Sequence, residues 1–415
     1  QGLRKNFPRH MFNLKLIHFL KWSHVIFIIS QLLYGSYYIG GIVTPRQLMT
    51  IIMFIFCIKK RCVDIDSYWR LYNVFLLFLL ISSLITGFGN IFFRQLVGFY
   101  FVAYVAYLST KYIIREYKAE YLIFYTLAFV GLLDAVVTLG QYSFMPFAAQ
   151  IVDFFHFSGG SELSELQEYH HSMDGFVMPG IVGEVMNGYL LPIVCIFLLY
   201  NKYSKFFIIN IILWTIAIVA LFVVQQRTGF FCGVLFSMYI IYELIISRLG
   251  KHFKVLFFLL SVFLVVLGVY YGAEMLGGSD SRYALGADMS TRTDIYQKSW
   301  NYILENPFGG IYELSNNGIM PHNLFLNAMV YGGYLGGLAI IFLIFIQLKI
   351  CVITLFRLSI KKHLALLMFI LAWLSFFICS LAHNLSIVTG DVHVWIFWAA
   401  IICLIERYNI KTKVL

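Results

Sequence analysis

Three residues of this sequence are suited to act together on an anion. Arg227 stands in Gln225-Gln226-Arg227-Thr228-Gly229, Arg292 in Thr291-Arg292-Thr293-Asp294, and His322 in Pro321-His322-Asn323. An arginine suits a diphosphate because its planar fork pairs two phosphate oxygens at once and never loses its charge. A histidine nearby can exchange a proton near neutrality. Two guanidinium groups and an imidazole therefore fit a reaction in which a diphosphate departs and a hydroxyl gives up its proton. Taken singly, each has a plainer reading: Arg227 as an interfacial arginine snorkelling to headgroups, Arg292 as a solvated helix residue, His322 as a helix cap. Only a shared location favours the sharper reading, so the elements that carry these residues decide the matter.

Those elements are membrane spans. Of 415 residues, 61% are hydrophobic and only 12% charged, against about 25% charged in soluble domains. Apolar runs of about 18 to 22 residues recur from end to end, each long enough to cross a ~30 Å hydrocarbon core as a helix. The expected fold is all-α: a single transmembrane domain over 1–415, a polytopic helical bundle of about twelve spans. The spans are read near 17–38, 43–58, 72–89, 91–110, 119–139, 177–199, 206–225, 228–247, 253–272, 321–348, 363–382 and 386–405. With both termini in the cytoplasm, all but six of the 30 Lys and Arg fall on the cytoplasmic side, as the positive-inside rule demands. The six are Arg46, Arg94, Arg227, Arg282, Arg292 and Lys298. The net charge of +10 is dispersed in short clusters between apolar runs, which argues against nucleic acid as partner.

Two outer loops are long, about 140–176 and 273–320, and loops of that length are usually lids or binding surfaces. The first has no Lys or Arg but holds the pair His170-His171 among acidic residues. In the second, Ser290 or Thr291 can cap a short helix ending before Pro307, with Tyr296, Trp300 and Ile303 on one face. On this topology Arg227, Arg292 and His322, far apart in sequence, reach one depth at the outer interface, and the expected substrate is a lipid diphosphate. The seven cysteines lie in spans or on the cytoplasmic side and show no metal-binding spacing. His383, Asp391 and His393 flank the last outer turn, where a solvated turn or a cavity wall is favoured over a metal site. Gly332, Gly333, Gly336 and Gly337 form small-xxx-small pairs, a pattern of close helix packing.

At these residues the sequence resembles the O-antigen ligase and O-antigen polymerase superfamily. The resemblance rests on Pro321-His322-Asn323-Leu324-Phe325-Leu326 followed by Gly332-Gly333-Tyr334-Leu335-Gly336-Gly337-Leu338. Just upstream it includes Thr291-Arg292-Thr293-Asp294 running to Trp300 and Glu305-Asn306-Pro307-Phe308-Gly309-Gly310, and Gln226-Arg227-Thr228-Gly229 heads a span. The pieces keep their order over about 175–345, while the first third of the chain is similar only in hydropathy profile. Pro179-Gly180-Ile181-Val182-Gly183-Glu184-Val185-Met186-Asn187-Gly188 is similar to the family's Gly- and Asn-rich start of the sixth span, except that Met178 stands near a place where relatives often carry arginine.

The resemblance implies a membrane glycosyltransferase of the C type in the bacterial inner membrane, acting on the periplasmic face. Its donor would be an undecaprenyl-diphosphate-linked glycan. Arg227 and Arg292 would hold the departing diphosphate, and His322 would help deprotonate the attacking sugar hydroxyl. Arg94, Glu184, Asn187 and Asn323 would contact substrate, and the arginine contact that relatives make near the place of Met178 would be either missing or supplied by Arg94. Electrostatic stabilisation of the leaving group needs no metal or other cofactor, and a single displacement inverts the anomeric centre. The acceptor would be a lipid-linked repeat unit for a polymerase or the lipid A core for a ligase, and a chain-length regulator is a conceivable partner. Asn323 followed by Leu-Phe-Leu favours the polymerase. A transporter for the same lipid-linked glycan stays open as another class. Transporters usually carry charge near the bilayer midplane and a repeat between halves.

Overall fold

The computed structural model describes residues 7–33, 44–60, 66–85, 96, 100–143, 145–156, 180–182, 184–200, 207–224, 227–244, 256, 260, 263, 290–309, 321, 323–358, 362–381, 388 and 391–410. Among the described residues the secondary structure is helical, in thirteen helices. They are α1 (Phe7–Leu33), α2 (Pro45–Lys59), α3 (Ser67–Ile85), α4 (Phe101–Tyr117), α5 (Glu120–Tyr142), α6 (Pro146–His156) and α7 (Glu184–Tyr200). After these come α8 (Phe207–Val223), α9 (Arg227–Leu244), α10 (Ser290–Glu305), α11 (Leu324–Arg357), α12 (Leu364–Ser380) and α13 (Val392–Arg407). Three of them, α3, α5 and α11, are long and apolar enough to cross a membrane, and 208–223, 227–242 and 364–380 are shorter apolar helices.

Helices stand where most of the apolar runs predict them, with shifted ends. Of the run read at 91–110, residues 96 and 100–110 are described, and α4 runs from Phe101 on to Tyr117 because its charged last turns find partners at that end of the bundle. The run read at 253–272 lies outside the described residues except for 256, 260 and 263. α6 was not expected: it occupies part of the stretch read as the loop 140–176. Most buried faces meet in one large core that includes Trp69, Tyr72, Phe124, Phe369, Trp373, Trp395 and Trp398, with smaller clusters around Leu221 and Phe230 and around Ile303 and Val330.

Charge ties one end of this bundle. Lys111 of α4 pairs with Asp66, just before α3, at 2.9 Å, and Tyr107 donates to the same carboxylate. Arg407 of α13 pairs with Glu120 of α5 at 2.7 Å and also donates to the Ile114 carbonyl. Arg115 and Glu406 meet at 2.7 Å, and the His363 ring lies against Tyr408, centroids 4.8 Å apart. The starts of α3, α5 and α12 and the finishes of α4 and α13 therefore share one end, the one that the charge pattern assigns to the cytoplasm.

The opposite end is tied by side-chain and backbone hydrogen bonds and close backbone contact. Gln31 of α1 accepts from Arg46 Nε at 3.2 Å and donates to its carbonyl at 3.2 Å. Thr44 caps α2 in a capping box with Gln47. Tyr100 donates from the start of α4 to the Val388 carbonyl, just ahead of α13, at 3.0 Å.

The run read as one span at 321–348 is broken. At Gly333 the backbone has φ 65° and ψ −170°, and α11 splits into a short limb, 324–332, and a long limb, 334–357. The chain turns back sharply there: a Cβ on Gly337 would lie 2.8 Å from Cα of Met329. Gly309 fills the elbow, since a Cβ on it would lie 2.5 Å from the Gly333 nitrogen. Tyr334 N–H completes the junction by donating to the Pro307 carbonyl at 3.0 Å. The glycine pairs do serve close packing, here between the limbs of one helix, against Pro307–Phe308, and against Phe75 and Phe78 of α3. α10 lies along the short limb through Tyr302 and Ile303 against Val330. The packed side thus carries Ser299, Tyr302 and Ile303, while Trp300, expected on it, is 47% exposed.

Two outcomes follow. Gly333→Ala places a side chain at positive φ against the Pro307 carbonyl, so it costs about 1–3 kcal/mol from backbone strain alone and lowers the melting temperature of the purified protein. Gly336→Ala, whose Cβ meets the Phe78 Cβ at 3.2 Å and the Phe75 ring at 3.5 Å with no backbone atom among its nearest neighbours, perturbs it less. At the charged end, Asp66→Ala deprives Lys111, its side chain 5% exposed, of the carboxylate it pairs with and costs about 3 kcal/mol. Glu406→Ala removes a 53%-exposed partner and costs less than about 1 kcal/mol. Thermal unfolding of the two variants side by side checks the ordering.

Candidate functional site

The end opposite the three ion pairs is built from the starts of α7, α9 and α11 and the finishes of α5 and α12. Its best-defined feature is a carboxylate that the sequence analysis did not single out. Asp134 of α5 is fully buried, and its Oδ1 accepts from the backbone N–H of Ile181 at 2.6 Å and of Val182 at 3.2 Å. Two turns on, Gln141 Oε1 accepts from Gly180 N–H at 2.9 Å, where Gly180 has φ 64°. These three amides belong to the turn immediately before α7, so α5 fixes where α7 begins. A signal for Asp134 was present in the sequence: beyond Glu120 at its start, it is the acidic residue inside the apolar run 119–139, and an ionisable side chain inside such a run marks a functional or structural polar contact.

α7 carries Glu184 as its first residue and Asn187 in its first turn; both side chains lie outside the described residues. Gly188, next in line, is a crossing point. A Cβ on Gly229 of α9 would lie 2.6 Å from Cα of Gly188, so only glycine at 229 lets the backbones approach this closely. Arg227 is the first residue of α9, two positions ahead of that crossing, and its side chain is exposed. The start of α9 with Arg227 and the start of α7 with Glu184 and Asn187 are therefore neighbours.

The last turn of α12 joins this pair to α11. Cys379 donates its thiol proton to the Gly188 carbonyl at 3.3 Å. Two residues later the Leu381 carbonyl accepts from Asn323 Nδ2 at 3.2 Å. Asn323 is the N-cap of α11: its Oδ1 accepts from Phe325 N–H at 3.0 Å and Leu326 N–H at 3.2 Å. Both ends of the amide are thus engaged, and its evident work is to cap the short limb and tie it to α12. That structural role stands beside the substrate contact the resemblance implies.

Arg292 is the third residue of α10, with its side chain outside the described residues. α10 and the short limb both run toward the Pro307–Gly333 junction and pack together, so Arg292 and Asn323 both sit at the ends leading away from it. His322 and Arg94 lie outside the described residues, as do His170, His171 and His383. His393 is buried in the first turn of α13, behind Asp391.

The arrangement brings together the backbone positions of Arg227, Glu184, Asn187 and Asn323 around the α7–α9 crossing and the end of α12. Its helix starts leave backbone N–H groups without partners inside their own helices, a local bias toward anions. No protein-family model, no curated protein and no solved structure matches this chain.

Proposed function

We propose that this chain is a bacterial inner-membrane protein of about twelve spans, with both termini in the cytoplasm, that polymerises a surface polysaccharide on the periplasmic face. The donor is a glycan linked to undecaprenyl diphosphate, and the acceptor is a sugar hydroxyl on another lipid-linked repeat unit. The hydroxyl oxygen attacks the anomeric carbon, the bond from that carbon to the diphosphate oxygen breaks, and undecaprenyl diphosphate leaves. His322 receives the hydroxyl proton; Arg227 and Arg292 compensate the charge on the leaving diphosphate; the anomeric configuration inverts. Arg94, Glu184, Asn187 and Asn323 are assigned to substrate contact.

One observation carries most of the weight. The helix starts that bear Arg227, Glu184, Asn187 and Asn323 gather at the end of the bundle opposite the ion-paired end. A site assembled at one end of apolar helices suits a substrate that is itself a lipid with a charged, hydrophilic head. A transporter is less well supported, because alternating access calls for a site near midplane.

The reading is tested in cells that lack the corresponding polymerase. The wild-type chain restores laddered, long glycan. His322→Ala abolishes the ladder at unchanged protein level, and Arg227→Ala and Arg292→Ala lower it nearly as far. Arg227→Lys and Arg292→Lys rescue poorly, because an ammonium cannot make the bidentate contact. Near-normal glycan from all three alanine variants would sink the assignment, and restored capping of lipid A core in ligase-null cells would make the chain a ligase instead.

A further inference from the structure

α5 carries an exposed apolar stripe. Tyr121, Tyr125, Phe129 and Val136, spaced at four- and seven-residue intervals, are 42%, 52%, 62% and 44% exposed, and on the transmembrane reading this is the side of α5 that faces lipid. At the top of the helix the stripe does not stop. The chain turns at Ser143, Met145 N–H donates to the Gly140 carbonyl at 2.8 Å, and α6 begins at Pro146. α6 lies against the last turns of α5: a Cβ on Gly140 would meet Phe147 Cζ at 2.7 Å and Ala148 Cβ at 3.1 Å.

α6 has two apolar sides. Ala148 and Val152 are each 1% exposed and pack into the bundle. At about 100° per residue, Phe147, Ile151 and Phe154 fall on the adjoining side, where Phe147 is 36% and Phe154 66% exposed. Gln150, exposed, marks the polar edge of that side. Met145, 49% exposed, and Tyr142, 37% exposed, bridge the α5 stripe to this second side. A helix with one face on protein, one apolar face uncovered and a polar edge is suited to a membrane surface.

Length sets the depth. α5 has 23 residues and spans about 35 Å, against a hydrocarbon core of ~30 Å. Gly140, in its last turn, therefore falls at the boundary between acyl chains and headgroups. We propose that α6 is an interfacial anchor lying in the outer leaflet, with Phe147 and Phe154 among the upper acyl carbons, about 5–10 Å below the headgroup surface, and Ile151 between them partly packed on the bundle. This rests on the transmembrane assignment of α5 made above. The anchor would lie beside the α5 end, where Asp134 and Gln141 hold residues 180–182.

The full chain, reconstituted in phosphatidylethanolamine–phosphatidylglycerol vesicles, is irradiated with phospholipids bearing a diazirine either high on the acyl chain or at its terminus. Adducts are then mapped by mass spectrometry. The expected result is that peptides covering 145–156 take label several-fold better from the shallow probe, while the peptide containing Phe129 takes label from the terminal probe. An unlabelled 145–156 beside a labelled Phe129 peptide overturns the anchor alone. Preferential labelling of 145–156 by the terminal probe also overturns it, since α6 would then be immersed. If the Phe129 peptide too resists both probes, the transmembrane assignment of α5 fails and takes the anchor with it.

Discussion

The elbow at Gly309 and Gly333 determines what the end of the bundle opposite the ion pairs can be. A helix that ran straight from Leu324 to Arg357 would be about 50 Å long, longer than any bilayer crossing requires. Its first residues would stand in solvent, away from every other helix. Two glycines at positive φ, with no Cβ between them, let the chain reverse within one turn, and the Pro307 carbonyl satisfies the Tyr334 N–H that the reversal exposes. The short limb is thereby laid back against the bundle, and its tip comes within reach of the Leu381 carbonyl, which Asn323 contacts. α10 shares the same junction, so the position of its N-terminal end depends on the same two residues. Everything proposed about His322, next to Asn323, and about Arg292 inherits its geometry from this bend.

The two ends of the bundle are held by different physics. On one, ion pairs between Lys111 and Asp66, Arg407 and Glu120, and Arg115 and Glu406 join helix ends that the positive-inside pattern sends to the same compartment. Charged side chains are long and tolerate small shifts, so such pairs fasten helices without fixing register finely. On the other end the contacts are short and backbone-based: Asp134 on two amides, Gln141 on a third, Gly229 on Gly188, Cys379 on a carbonyl. These leave little freedom in where α7 and α9 begin. A site that must hold polar groups to within a fraction of an ångström belongs at the second kind of end, and Arg227, Glu184 and Asn187 are found there.

Hydropathy and charge made most of the helices legible, because an apolar run of fixed length is a strong signal and the Lys and Arg clusters mark its ends. What hydropathy cannot carry is direction within a run. The apolar pattern passes through Gly333 without interruption, so the bend was invisible except as a cluster of glycines, which were expected to pack a helix and in fact pack a reversal. Trp300 was misplaced for a related reason. Helical spacing allows both the side carrying Tyr296, Trp300 and Ile303 and the side carrying Ser299, Tyr302 and Ile303, and only the partner surface at Val330 chooses between them. α6 was overlooked because eleven residues with Asp, Gln and His among the aromatics look like a loop until the end of α5 supplies the surface they pack on. Asp134 was passed over because its partners are backbone amides 47 and 48 residues away, and no spacing rule connects a carboxylate to an amide at such range.

The same comparison says why the site's polar residues gather by helix starts rather than by side-chain clusters. In an apolar bundle every polar group away from water needs a partner within the chain, and the first turn of a helix is where the backbone has N–H groups to offer. Arg227, Glu184 and Asn187 occupy such turns and Asn323 caps one, the last as the amide acceptor for two of them. An anionic head entering from the membrane plane would meet the positive ends of these helices together with whatever guanidinium groups reach it, the two acting on the same charge. In that arrangement the arginines need not be rigidly held, since the frame of amides is. It is the frame, set by Asp134, Gly188 and the Gly333 bend, whose distortion would separate the groups that have to work at once.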